Sequence, residues 1–393
     1  MSNETPQSNT PRLHTDHVFL VLYRLLYYRH VMFYLAAKQI RSTLADHIDA
    51  WRTYTDFFNI ALAREYSKDV VLPAQWLYEL LSEFILHFQA FLQLRVNPTM
   101  LDEEEQVQLR EEYSSVWSLL DVLHPLYVLA ARSEIATTLS TRARDSRDLP
   151  AGLLPQLGYF SLVCLCRLHC LLGDYAQALR IIAPLNLHNE ALFSRVAACH
   201  ITLFYYVGFA LIMSRRYVEA MRAYGRVLMY FHRTKNLHAR TSQGQLMSKL
   251  ADQMLGLLAV CVALCPGQMP QDNVHVLLRK THGDLASTGD KIKAMGSGSD
   301  EGLVLFAEMF KAACPNFLPA TMDSSADMLA SARETFENQA ALFQAEVVER
   351  CRLLSATRKY LRLYTNISTT KLSEFQGKDV EDVQYVKCAW CCL

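Results

Sequence analysis

Apolar residues recur every three or four positions along most of the chain, which is the period of a helix that buries one face. The segments with this pattern are long and are separated by short polar stretches. They predict helices over residues 17–40, 45–64, 73–96, 107–130, 243–265, 271–281, 303–311 and 333–363. Within the fourth segment, Pro125 marks a kink or a break, because proline cannot donate the helical hydrogen bond.

Local start and stop signals agree with these segments. Thr15 or Asp16 can cap the first helix, since a short side-chain oxygen accepts from the free amides at a helix start. Pro73 stands where a helix begins, and Asn97-Pro98 ends the same helix. The acidic run 102–105 places negative charge at the start of the next helix, as the helix dipole favours.

One unit occurs twice in the centre of the chain. The sequence LGDYAQALR at 172–180 returns as SRRYVEAMR at 214–222, an offset of 42 residues. Tyr175 thereby pairs with Tyr217, and Ala178 pairs with Ala220. An apolar segment of helical length precedes each copy, so the unit is predicted to be a helix, a tight turn and a second helix.

The repeated residues have a packing interpretation. The tyrosine at the start of the second helix can fold back onto the first helix, and the small alanine lets the two backbones approach. Tyr-x-x-Ala at this place is typical of tetratricopeptide-like hairpins, which repeat at about 34 residues. One hairpin cannot bury both its faces, so hairpins stack into a solenoid. Chance similarity between two amphipathic hairpins is the alternative.

Composition favours the same all-α class. Of 393 residues, 51% are hydrophobic, while glycine and proline number only 14 and 12. The length suits two domains or one elongated array. Basic and acidic residues number 39 each. This balance leaves no overall field that draws the chain to nucleic acid or to a membrane, so such a partner would need a local patch.

Cysteines and apolar runs indicate a reducing compartment and no membrane partner. The eleven cysteines are odd in number and lie mostly in apolar helical runs, unlike a disulfide framework. Residues 1–15 lack the basic-then-apolar order of a signal peptide. The apolar runs 201–213 and 254–265 are shorter than the roughly 20 residues of a membrane span, so we expect no transmembrane segment.

The end of the chain changes character. Residues 367–375 open a short capped helix, and residues 379–387 can form a second helix. The two suit the start of a winged helix, but the sequence ends before the strands of a wing. We therefore predict a disordered tail (1–15), an N-terminal helical region (16–140), a linker (141–156), a helical-repeat part (157–363) with a mobile loop (283–302), and an incomplete winged helix (364–393).

A helical-hairpin solenoid that leads into a winged helix is the plan of a PCI domain. Over roughly residues 17–375 the chain resembles the subunit L family of eukaryotic translation initiation factor 3, a family of PCI scaffold subunits. The residues that carry the resemblance include the stretches 18–30, 72–77, 157–162, 167–175, 205–210, 215–217, 233–235 and 361–365. The family has a complete winged helix and a further helix, so the resemblance implies a chain truncated at its C-terminus.

The resemblance also implies a function and partners. It implies a non-catalytic, cytoplasmic scaffold subunit of translation initiation factor 3, acting in initiation of protein synthesis on the small ribosomal subunit. The implied partners are the sister subunits, subunit K most directly and the other PCI subunits through their winged helices. A PCI scaffold of another assembly, the proteasome lid or the signalosome, is the alternative.

The sequence lacks the motifs of an enzyme. It contains no His-Glu-x-x-His, no phosphate-binding loop and no Gly-x-Ser-x-Gly. On a helix, Cys164 and Cys166 point about 200° apart, so they cannot share a metal ion. Cys388 and Cys391 have the spacing of half a zinc site, without a second pair. We expect no catalytic residue, metal or cofactor. A helical enzyme is a further alternative, although no paired acid, base or nucleophile supports it.

One basic run carries candidate binding chemistry. Residues 215–240 contain a single acid, Glu219, and interleaved aromatic residues. The candidate contacts for RNA or a partner are Arg215, Arg216, Arg222, Arg226, Arg233 and Lys235. Guanidinium groups can contact phosphates while nearby aromatic rings stack on bases. Alternatively, the aromatic residues face the core, and the arginines form a solvated face or pair with a neighbouring subunit.

Overall fold

A computed structural model describes most of the chain. The described residues are 17–37, 43–63, 71–97, 101–141, 152–187, 191–238, 243–265, 299–319, 325–349 and 366–377, with single positions or short pieces at 278, 292, 294–296, 360, 363–364 and 380. Within these ranges all regular structure is helical, without a strand, and the predicted all-α class is confirmed. The chain divides into two compact units, one of residues 1–172, 180–199 and 318–333, the other of residues 173–179, 200–317 and 334–393.

The first unit contains both long and short helices in its described part. Its helices are α1 (His17–Ala37), α2 (Leu44–Leu62), α3 (Ala74–Val96), α4 (Glu103–Glu111), α5 (Leu119–Arg132), α6 (Ile135–Thr141), α7 (Leu153–Leu171) and α9 (Leu192–Arg195). Capping boxes open two of them, Thr43 with Asp46 at α2 and Asp102 with Glu105 at α4. The caps expected at Thr15 or Asp16 lie outside the described residues.

A partly buried group of one arginine and two glutamates holds α1 on α3. The Arg29 guanidinium lies 2.5 Å from a Glu79 carboxylate oxygen and 3.0 Å from one of Glu83. Removing Arg29 would leave two largely buried carboxyl groups without their cation, which is destabilising. The position of α1 is therefore specified by charge as well as by apolar contact.

The helix predicted over residues 107–130 is wrong, because the chain leaves the helix after Glu111 and re-enters it at Leu119. Between them Trp117 adopts a left-handed backbone with φ 55° and is completely buried. Its indole N–H donates to the His47 carbonyl at 3.0 Å. Arg95 holds the same loop by donating to three of its backbone carbonyls at 2.6–2.8 Å. Burial of the indole thus overrides the local helical pattern.

The predicted kink or break at Pro125 lies inside α5, which continues through it as one helix. The linker predicted over 141–156 is described only at its ends, where Thr141 closes α6 and α7 already starts at Leu153. The other domain boundaries stay a prediction.

The second unit is built from the helices around the second repeat. They are α10 (Ala197–Met213), α11 (Tyr217–His238), α12 (Gly244–Leu264), α13 (Asp300–Ala313), α14 (Ser325–Glu349) and α15 (Thr369–Gln376), while α8 (Tyr175–Ile182) belongs to the first repeat. Within this unit the Tyr205 hydroxyl donates to the Ala313 carbonyl at 2.8 Å, and Phe310 stacks on Phe343 with ring centroids 4.2 Å apart. These contacts attach α10 to α13 and α13 to α14.

Several predictions about the C-terminal half fall partly outside the described residues. Helix α14 begins at Ser325, before the predicted residue 333, and the continuation predicted to residue 363 is mostly outside the described part. Helix α15 is present, capped by Ser368 and ended by left-handed Gly377. The helices predicted over 271–281 and 379–387, the loop over 283–302 and the tail over 1–15 lie largely or wholly outside it, although Met295 in the loop is buried.

Two helices have the length and apolar character of a membrane span. They are α7 and α12, and 83% and 72% of their most apolar windows are buried inside the fold. Core helices of globular proteins have the same composition, because all their sides contact other helices. Their apolar character is thus accounted for by burial within the fold.

Candidate interface on the repeated hairpins

The two sequence copies form backbone turns of the same kind. Helix α7 ends at Leu171 and α8 begins at Tyr175, while α10 ends at Met213 and α11 begins at Tyr217, which preserves the offset of 42 residues at both boundaries. The corresponding positions inside the turns, Gly173 (φ 80°) and Arg215 (φ 64°), are both left-handed. Glycine adopts this conformation freely, whereas for a residue with a Cβ it costs on the order of 1 kcal/mol. The repeat is therefore present in the backbone as well as in the sequence.

Both repeated tyrosines reach the same long helix. The Tyr175 hydroxyl donates to Gln339 Oε1 at 2.6 Å, and the Tyr217 hydroxyl donates to Glu346 Oε1 at 3.4 Å. Gln339 and Glu346 lie seven residues apart on α14, which is about two helical turns. Helix α14 thus passes both turns and presents a hydrogen-bond acceptor to the tyrosine of each. The Tyr175 ring also meets Phe209 of α10 edge-on, with centroids 5.8 Å apart.

The charge of each acceptor on α14 is complementary to the turn residue that it contacts. Glu346 is buried, and its second carboxylate oxygen lies 3.0 Å from Arg215 Nε. At the other turn a Cβ on Gly173 would lie 3.0 Å from Gln339 Nε2. The turn that carries an arginine therefore meets a carboxylate, and the turn that carries a glycine meets a neutral amide. Sequence reasoning missed both acceptors, since only their separation of seven residues hints at a shared face.

The repeated alanines are buried, and one glycine allows close packing. Ala178 and Ala220 are completely buried. In the second repeat, a Cβ on Gly208 of α10 would lie only 2.3–2.4 Å from ring carbons of Tyr224 on α11. The Tyr224 hydroxyl donates to the Tyr205 carbonyl at 3.1 Å. Contact between the two helices of this hairpin therefore depends on Gly208. The role proposed for Tyr175, Ala178, Tyr217 and Ala220 in repeat packing stays a prediction.

The candidate basic residues separate into two groups. Arg215 pairs with Glu346, and Arg216 donates through Nε to Glu219 at 2.7 Å, so the charges of the turn have acidic partners. Beyond the turn, an exposed row on α11 contains three arginines, and at 3.6 residues per turn they fall within about 40° of each other around the helix. They are Arg222, Arg226 and Arg233, all exposed. We call this row the arginine stripe. Lys235 is also exposed but points about 200° away from Arg233.

The aromatic residues of the basic run differ in burial. Tyr224 and Phe231 are buried, as the core-facing interpretation expects, whereas Tyr230 is only half-buried. The Tyr230 ring lies 4.7 Å from the ring of His200 on α10. Burial, with a smaller effect of Arg226, lowers the pKa of His200 to about 4, so this imidazole is neutral at physiological pH.

Phe204 completes this cluster. Its ring centroid lies 5.7 Å from the Arg226 guanidinium carbon and 5.1 Å from the His200 ring. A guanidinium over an aromatic face gains about 0.5–1 kcal/mol at an exposed site. The cluster thus places a positioned guanidinium beside a half-exposed tyrosine.

The candidate metal residues on α7 do not form a metal site. Cys164, Cys166 and Cys170 are buried along α7, and burial raises the pKa of the Cys164 thiol to about 12. In the described ranges, no group of three or more histidine, cysteine or acidic side chains could hold a metal ion. Cys388 and Cys391 lie outside the described residues.

Comparison with known proteins decides the family. A family model described as RNA polymerase I-associated factor PAF67 matches residues 46–389. Eukaryotic translation initiation factor 3 subunit L of Nematostella vectensis is 35% identical over 390 residues, covering 96% of this chain and 71% of that relative. The chain belongs to the subunit L family of eukaryotic translation initiation factor 3.

Other members of the subunit L family agree. The protein of this name from Drosophila mojavensis is 37% identical over 371 residues, covering 92% of this chain and 66% of the relative. The one from Danio rerio is 35% identical over 369 residues, covering 92% and 62%. The chain thus spans about two thirds of the length of the curated relatives that it matches. The resemblance seen over residues 17–375 is confirmed.

Proposed function

We propose that the chain is a non-catalytic scaffold subunit of eukaryotic translation initiation factor 3, which docks sister subunits during initiation of protein synthesis on the small ribosomal subunit in the cytoplasm. The observation that carries this proposal is the match to subunit L over nearly the whole chain. Subunit K is the partner that the resemblance points to most directly, followed by the other PCI subunits.

An exposed row on α1 supports docking of another protein. Phe19, Tyr23, Leu26 and Tyr27 are each 38–42% exposed and recur at the spacing of one helix face. Single exposed hydrophobic residues are ordinary, but a contiguous row of large ones is typical of interaction surfaces. The Arg29 ion pairs hold α1 in place, so the row is presented by a fixed helix. We propose that a sister subunit of the factor covers it.

The test is purification of the native complex. A tagged chain should recover the subunits of translation initiation factor 3, with subunit K in equal amount, as read by mass spectrometry. Recovery of proteasome-lid or signalosome subunits instead would favour the alternative assembly. Recovery of the lone chain would overturn the proposal.

Matched variants locate the docking surface. Tyr23→Ser with Leu26→Ser should remove a companion subunit while leaving the circular dichroism spectrum unchanged. Leu120→Ser is the control, since Leu120 is an exposed hydrophobic residue (77%) on a different helix, α5. Equal recovery of companions by the two variants would exclude α1 as the docking surface.

A further inference from the structure

The exposed faces of α1 and α11 differ in chemistry. The exposed row on α1 is aromatic and aliphatic, as the centre of a protein interface requires. The arginine stripe, by contrast, consists of three charged side chains. Only one large hydrophobic residue of α11, Leu237, is strongly exposed (75%). The cores of protein interfaces are depleted of charge, so the stripe is poorly suited to be the centre of one.

The stripe has the spacing and donors of a phosphate-binding row. From Arg222 to Arg233 it extends about 17 Å along the helix axis. Each guanidinium presents a planar fork of donors that fits phosphate oxygens, and arginine remains charged at all physiological pH values. Glu219, the acidic residue of α11, is bound by Arg216 in the turn.

An aromatic surface lies within the same stripe. Tyr230 stands one helical turn after Arg226 and just under one turn before Arg233. Its ring and that of His200 are 4.7 Å apart and tilted by 39°, and both are half-buried. The Arg226 guanidinium lies over the Phe204 ring. Alternating aromatic and cationic groups are characteristic of single-stranded nucleic acid sites, where bases stack and phosphates pair.

We propose that the arginine stripe, together with Tyr230, binds single-stranded RNA. Stacking on Tyr230 requires an unpaired base, which favours a single strand over a duplex. An acidic protein surface could neutralise the arginines but would not need the tyrosine ring between them. This inference concerns the exposed face of α11 and the α10 rings that contact it, and it stands apart from the docking of sister subunits.

The probe is a fluorescein-labelled oligouridylate of about ten nucleotides, within the site sizes known for single-stranded binders. Fluorescence anisotropy of the full chain should give an affinity that falls with salt. Removing one arginine–phosphate ion pair should reduce the slope of log K against log salt by about 0.7. The triple variant Arg222→Glu, Arg226→Glu, Arg233→Glu should bind at least about tenfold more weakly at low salt.

Two further variants test whether binding depends on the position of the charge and on the tyrosine ring. Lys235→Glu is the charge-matched control on the same helix and should weaken binding far less, since Lys235 is off the stripe. Tyr230→Leu keeps the charge and should bind about tenfold more weakly, because the base has no ring to stack on. Thermal unfolding midpoints of all variants should stay within about 2–4 °C of that of the parent, because the changed side chains are exposed or half-exposed and loss of the Arg226 contact with the Phe204 ring costs little.

Three outcomes would overturn the proposal. The parent chain shows no binding at low salt, or the triple variant and Lys235→Glu bind alike. In the third, charge variants abolish binding while Tyr230→Leu does not, and a polyglutamate peptide competes as well as unlabelled RNA. That result would assign the stripe to an acidic protein surface instead.

Discussion

Gly208→Ala is expected to destabilise the second unit even though it introduces a better helix former. The added Cβ would lie 2.3 Å from Tyr224 Cε1 and 2.4 Å from Cζ. Carbon atoms in contact prefer about 3.5–4.0 Å, so the ring must retreat by more than about 1 Å. Tyr224 is completely buried, and the ring has no solvent to move into.

The magnitude follows from two destabilising effects and one that offsets them. Forcing a methyl group into a packed core costs about 1–3 kcal/mol. Retreat of Tyr224 also breaks its hydrogen bond to the Tyr205 carbonyl, and a buried donor left without a partner costs about 1–3 kcal/mol. Replacing glycine by alanine inside a helix offsets about 1 kcal/mol of this. The net destabilisation is on the order of 3 kcal/mol, or roughly 6–12 °C in the unfolding midpoint of a unit of this size.

The assay is thermal and urea unfolding followed by circular dichroism. Gly256→Ala is the matched control, because Gly256 is also helical and its Cβ would lie 3.3 Å from the Ala313 Cβ. We expect that variant to stay within about 1 kcal/mol of the parent. In a Tyr224→Leu background, Gly208→Ala should cost little, which gives a coupling energy of about 3 kcal/mol. A Gly208→Ala chain as stable as the parent, or zero coupling, would refute the reasoning.

Three other predictions concern the remaining core. Burial, opposed by Arg29, raises the pKa of Glu83 to about 7, so the folded chain holds a proton that the unfolded chain releases near 4.5. The contribution of Glu83 to stability should therefore fall by about 1 kcal/mol from pH 6 to pH 8, measured as the difference between the parent and Glu83→Gln, because histidines with a lowered pKa, such as His200, contribute in the opposite direction. Equal pH dependence of the two chains would contradict this prediction. Arg95→Leu should release Trp117, lower the midpoint and shift tryptophan emission to the red, whereas the exposed control Arg110→Leu should leave the emission unchanged. If Arg95→Leu also left the emission unchanged, the anchoring role would be refuted. Iodoacetamide on the native chain should leave the buried thiols unlabelled in mass spectrometry, because burial hinders access of the reagent, and labelling without denaturant would argue against this packing. These thiols are Cys164, Cys166, Cys170, Cys199, Cys261, Cys265 and Cys314.

Most helices, several of their caps and the repeat could be predicted from the amino-acid sequence. Helical period and capping depend on residues within a turn or two of each other, as at Ser368, so they can be read locally. The 42-residue offset between Tyr175 and Tyr217 likewise reappears in the helix boundaries. Ordered matches along the chain were sufficient to indicate the family.

The break at Trp117 and the partners of the repeated turns could be found only in the folded chain. The indole leaves the helical path because the interior that buries it comes from other helices, including the carbonyl of His47, 70 residues away. Gln339 lies 164 residues from Tyr175, and Glu346 lies 129 residues from Tyr217. A local pattern shows which side of a helix is apolar, but the surface that covers it is chosen by packing among distant segments, where burial and pairing of charge outweigh local preference.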